Sequence, residues 1–236
     1  LRNDASSLVR DPLLGWVILL PIGLALLLRV LIPRAGEALL VAAGFDLLPY
    51  HPLIMSGYLL TAPGIVGMVI GFLLLDERDA RTLDALRVTP LAMEWYLVYR
   101  LSLPLLLGLA STLVGYPLAR LAPLPPAELV AITFVAGLTA PTLTLLLATT
   151  APNKVAGFAM VKVVNTVNLL PVAAFFVPLP YQRLAGVLPT YWPMRALWSA
   201  SAGAGFVGEL ATGLLVNLLA VALMARLFMR RLLERG

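Results

Sequence analysis

Seven charged residues crowd into twelve positions between two apolar runs: Asp76, Glu77, Arg78, Asp79, Arg81, Asp84 and Arg87. Hydrocarbon cannot hold a cluster this dense, so it must lie at a membrane face. Glu77 and Arg81 are four apart, Asp84 and Arg87 three apart, so each pair meets on one helix surface. The acids come first and Arg87 last, which suits a helix dipole. Ala80, Leu83 and Leu86 form one apolar stripe, and Pro90 stops the helix. Residues 76–90 therefore predict a short amphipathic helix along the membrane face, its charges turned outward. The chemistry open to it is protein docking. The plainer reading is a solvated loop.

Other chemistries find little support. There is no cysteine, which excludes disulfides and thiolate metal sites, and a single histidine, His51, excludes a multi-histidine metal centre within one chain. No metal site, catalytic residue or bound cofactor is expected. A membrane-embedded enzyme would need paired catalytic groups at one face, and none stands out. In the fifth apolar run, residues 161, 165 and 168 share a helical face, with Lys162 beside it. Asn165, Asn168 and Lys162 either line a translocation path or serve interhelical hydrogen bonding and lysine snorkelling. Gly67 and Gly71, four apart, suit close helix packing, within or between protomers. Thr139, Thr142, Thr144, Thr149 and Thr150 are expected to hydrogen-bond their own helix.

The elements that position these groups follow from composition. Hydrophobic residues make up 61% of the 236-residue chain and charged ones 12%, against about 25% charged in soluble domains. The fold class is an all-α integral membrane protein. Six spans are expected, at 13–32, 52–75, 96–119, 127–150, 155–177 and 209–229. An interfacial helix is expected before the first span. That first run lacks a small-residue cleavage pattern and is expected to be a span, not a leader. The segment 178–208 is apolar but broken by Pro178, Pro180, Pro189 and Pro193, and predicts short helices entering or lying on the outer leaflet. Twelve of the seventeen lysines and arginines fall on the side holding both termini and the charged segment, which makes that side cytoplasmic. This topology accounts for the net charge of +5 without nucleic acid.

The string Glu77, Arg78, Thr82, Leu83, Leu86, Thr89, Pro90 resembles the signature after the second span of ABC-2-type transporter permeases. Arg10, Asp11 and Pro12 resemble that family's opening, and the six spans with a broken outer segment before the last match it too. Among its members, small drug-export permeases of the fluoroquinolone-exporter type are most similar. The resemblance implies a single transmembrane domain over 1–236 in the plasma (inner) membrane of a prokaryote, a multi-pass chain with both termini cytoplasmic. It implies a coupling helix at 76–90 that contacts a separate ATPase subunit, with Asp76, Glu77, Arg78, Arg81, Thr82 and Arg87 as coupling residues. ATP and Mg would bind on that partner, since no Gly-x-x-x-x-Gly-Lys phosphate loop is present here. A second permease chain, identical or not, would complete a dimer that exports a hydrophobic drug or a lipid. The alternative is an ATP-independent secondary transporter or channel. It predicts ion-coupling acids in mid-span, whereas the acids here fall near span ends.

Overall fold

In runs this poor in polar side chains the backbone must satisfy its own hydrogen bonds, and the helix is the form that does so within one segment. The structure, a computed structural model, describes residues 12–79 and 93–234. Its long elements are α1 (Pro12–Ala43), α2 (His51–Asp79), α3 (Met93–Ala119), α4 (Pro126–Gly137), α5 (Thr139–Thr150) and α6 (Lys154–Ala173). A short helix α7 (Leu179–Gln182), a longer one α8 (Tyr191–Ser201) and the final helix α9 (Val207–Glu234) complete it, and no strand occurs among the described residues. Six helical stretches of 23 to 31 residues are long and apolar enough to cross a membrane, with α4 and α5 together making the fourth. The expected interfacial helix before α1, and the part of the 76–90 helix beyond Asp79, lie outside the described residues. Asp76 to Asp79 continue α2 without a break.

Two local departures have physical causes. The first span was expected to stop near Ile32, yet α1 runs through Pro33 to Ala43. Residues 34–43 are mostly strong helix formers, and Arg34 and Glu37 sit three apart on one face. The helix closes only at Gly44, whose φ of 64° suits glycine. The fourth span bends at Leu138, because Pro141 has no N–H to offer the preceding turn. There the Thr139 hydroxyl donates to the Ala136 carbonyl at 2.7 Å and the Thr142 hydroxyl to the Leu138 carbonyl at 2.8 Å.

α2 is the hub, packing against α1, α3, α4, α5, α6 and α8. Its Met55, Tyr58, Leu59 and Ile70 are buried. The Tyr58 hydroxyl donates to the Pro21 carbonyl of α1 at 3.3 Å, and it fills the space where Gly115 of α3 lacks a side chain. α6, by contrast, leaves Val155, Phe158, Val163 and Leu170 exposed. Between the last turn of α6 and α8 the chain breaks into short turns at Ala174–Phe176 and Arg183–Val187.

Candidate functional site

One end of the bundle collects the charged residues. Asp76, Glu77 and Arg78 are successive residues on α2, so their side chains fan out by about 100° each and reach different neighbours. Asp76 pairs with Lys154 at the start of α6, at 2.7 Å. Glu77 forms an ion pair with Arg100 of α3 and accepts a hydrogen bond from the Tyr96 hydroxyl at 3.3 Å. Arg78 donates to the carbonyls of Ala148, Ala151 and Pro152, at 3.3, 2.9 and 2.9 Å. Those carbonyls lie at the C-terminal end of α5, where the last turn of a helix leaves acceptors unmet and partly negative. Arg231 of α9 donates to the Thr149 carbonyl at the same place. Five helices are thus tied together around the last turn of α2. Arg81, Thr82 and Arg87 lie outside the described residues.

The second place is a groove of about 360 Å³ between α2, α5 and α6, closed at one end by the start of α8 and by Asn217 of α9. It flanks the middle of the 31-residue second span, through Gly57, Thr61, Gly64 and Met68. Leu143, Leu146, Val161 and Val164 form apolar walls. The polar residues lining it are threonines and asparagines, with no charged side chain among the described ones. Asn165 and Asn168 both face it, and the Asn168 carbonyl oxygen also accepts from the Thr190 hydroxyl at 3.3 Å. Lys162 is exposed and does not line it. The start of α6 is fixed by the Asn153 side chain, which accepts from the Ala156 N–H at 2.9 Å.

Gly67 and Gly71 lie beside the groove, on the face that α2 turns to α5 within the chain. A Cβ at Gly67 would stand 2.5 Å from the Ala140 oxygen, and one at Gly71 would stand 2.8 Å from Leu147 Cδ1. This close approach lets the Thr144 hydroxyl reach across to the Gly67 carbonyl, at 2.9 Å. Thr144 therefore bonds across to α2 instead of back along its own span, unlike Thr139, Thr142 and Thr150. Thr61, Thr190 and Asn217 were not singled out from the sequence. Asn217 had a usable signal, as an uncharged polar residue in the middle of an apolar run. Arg100 carried only its charge as a signal, and its partner is set by the fold. No group of three metal-ligating acids or histidines occurs among the described residues.

Residues 4–225 match the family described as fluoroquinolones export permease protein Rv2686c-like. The chain is 34% identical over 230 residues to two Mycobacterium tuberculosis proteins, from strains CDC 1551 and H37Rv, each named fluoroquinolones export permease protein. The match takes in 96% of this chain and 91% of each relative. No solved structure matches it.

Proposed function

The chain belongs to the Rv2686c-like family of fluoroquinolone export permeases, and from that membership we propose that it is the membrane subunit of an ATP-driven exporter. Its substrate is a hydrophobic or amphipathic small molecule, of the fluoroquinolone kind or a lipid, moved outward across the plasma membrane of a prokaryote. The termini and the charged end of the bundle are cytoplasmic. ATP and Mg are held by a separate ATPase subunit, and a second permease chain completes the assembly.

The observation that carries this reading is the family match over nearly the whole chain. The groove supports it: it is of the size and mostly apolar character that small-molecule sites have. Arg81, Thr82 and Arg87 contact the ATPase, while Asp76, Glu77 and Arg78 pass its movement on. Because the end of α2 is tied to α3, α5 and α6, and α5 in turn to α9, a push on the 76–90 segment shifts those helices together and alters the groove between α2, α5 and α6. Asn165 and Asn168 line the path; Lys162 lies on the same helix outside it.

The test is purification of the chain from its native membranes in mild detergent. A stoichiometric partner with a phosphate-loop ATPase sequence, and fluoroquinolone-stimulated ATP hydrolysis by the pair, is the expected result. A chain that purifies alone and moves a fluoroquinolone in ATP-free vesicles would refute the ATP-driven reading in favour of a secondary transporter.

A further inference from the structure

The polar groups of the groove are not equivalent once their hydrogens are followed. Thr61 has already donated its hydroxyl hydrogen to the Gly57 carbonyl of its own helix, at 2.8 Å. Thr139 and Thr142 have likewise donated theirs to the Ala136 and Leu138 carbonyls of the same span, at 2.7 and 2.8 Å. A hydroxyl has one hydrogen, so each of these threonines turns only lone pairs toward a ligand. Asn217 has placed both amide hydrogens, one on the Pro189 carbonyl at 3.0 Å and one on the Gly213 carbonyl at 2.9 Å. Its Oδ1 is buried and has no donor. The wall built by α2, α5 and α9 therefore accepts hydrogen bonds.

The α6 wall is the reverse. The Asn168 Oδ1 is occupied by Thr190, which leaves its amide hydrogens as the group on offer. Asn165 lines the groove, and its side chain has no hydrogen bond to the described residues. The Asn168 amide hydrogens thus face acceptors across the groove, and one helical turn away Asn165 can turn its own amide hydrogens to the same ligand.

We infer that the groove is polarised for hydrogen bonding, and that it selects amphipathic ligands whose head donates toward α2 and α5 while a carbonyl or ether oxygen meets the α6 amides. The inference rests on the reading of the groove as the substrate site. A hydroxyl, amine or ammonium head suits the accepting wall. A carboxylate head there would set lone pairs against lone pairs, with no basic side chain to relieve them. An ammonium head finds no carboxylate either, so it binds through oxygen lone pairs and gains no ion pair.

The test uses four fluorescent probes with one scaffold, a dansyl sulfonamide on a five-carbon chain, ending in methyl, hydroxyl, ammonium or carboxylate. Binding to the 236-residue chain in phosphatidylcholine nanodiscs is read from dansyl fluorescence, with empty nanodiscs subtracted. The hydroxyl and ammonium probes should bind about tenfold tighter than the carboxylate probe, the gain of one or two good hydrogen bonds. The near-isosteric double change Thr61→Val with Thr142→Val should bring that ratio to within about threefold. Folding of the variant is checked apart from binding, by a thermal unfolding midpoint in detergent equal to that of the wild type. A carboxylate probe that binds as tightly as the ammonium one would overturn the polarity. So would a double variant that keeps the full preference. Failure of all four probes to bind would overturn the groove as a substrate site, a distinct outcome that sinks the inference with it.

Discussion

The glycines of α2 should fall into two groups that no spacing rule separates. A Cβ built on Gly57 or Gly64 meets nothing within 4 Å, and both residues line the groove. A Cβ on Gly67 meets the Ala140 backbone, 2.5 Å from the oxygen and 2.9 Å from the Cα. In Gly67→Ala the methyl must retreat to about 3.5 Å, so α2 and α5 separate by about 1 Å. Overpacking of this kind costs about 1–3 kcal/mol. The same movement stretches the Thr144 bond to the Gly67 carbonyl beyond useful range, a further loss of about 1 kcal/mol. Alanine returns about 1 kcal/mol through helix propensity. The net destabilisation is about 1–3 kcal/mol, which for a chain of this length lowers Tm by roughly 3–10 °C. Gly64→Ala has the propensity gain and no clash, so its Tm should hold or rise. Gly64→Leu should also hold Tm while filling the groove, and fluoroquinolone export in cells should fall to the level of cells lacking the chain. Thermal unfolding in detergent and drug accumulation in cells separate these effects. A Gly67→Ala variant with wild-type Tm would refute the packing argument. A Gly64→Leu variant that folds and exports normally would refute the groove as the path.

Three further outcomes follow from the charged end and the far end of the groove. Arg78→Ala exposes three carbonyls at the end of α5 and should cost about 1–2 kcal/mol in detergent unfolding; Arg78→Lys should recover only part, because an ammonium cannot fork as a guanidinium does, and an alanine variant of wild-type stability would rule out this cap. Double-mutant cycles on unfolding should give a coupling of about 1 kcal/mol between Glu77 and Arg100, whose side chains are 34% and 18% exposed. The Asp76–Lys154 pair, 48% exposed on both sides, should give about 0.3 kcal/mol or less; equal couplings would contradict the ranking by burial. Asn217→Leu frees the Pro189 carbonyl, so hydrogen exchange should speed at Leu188 and Tyr191 and stay unchanged in α3; protection as in the wild type would show that Asn217 does not hold that turn.

How much of this was legible in the sequence depended on whether the signal was local. Composition and run length are local, so the all-helical class and six spanning stretches could be read directly. The end of α1 could not: Pro33 and Arg34 look like a stop, but Pro33 is accommodated and the ten residues that follow favour helix. The pattern after the second span led to the permease resemblance, and the family match agrees with its drug-export part. What the pattern could not give was the fate of its first three charges. Glu77 and Arg81 have the right spacing for a pair on one helix. In the fold Glu77 meets Arg100, twenty-three residues away, while Arg81 lies outside the described residues.

The groove was legible only where a polar residue stood out against an apolar background. Asn165 and Asn168 did so, and both face it. The threonines did not, because the same feature that makes threonine tolerable at membrane depth hides its function. A hydroxyl bonded back to its own helix reads as satisfied, and Thr61, Thr139 and Thr142 are satisfied in that sense. Yet the bond takes only the hydrogen, and the oxygen keeps its lone pairs for a ligand. Whether that matters depends on which way the helix face turns. Thr144 has the same chemistry five residues after Thr139, but it faces α2 and is consumed by packing against Gly67. Function in such a chain is set less by which residues are polar than by which atoms the fold leaves unpaired, and on which wall.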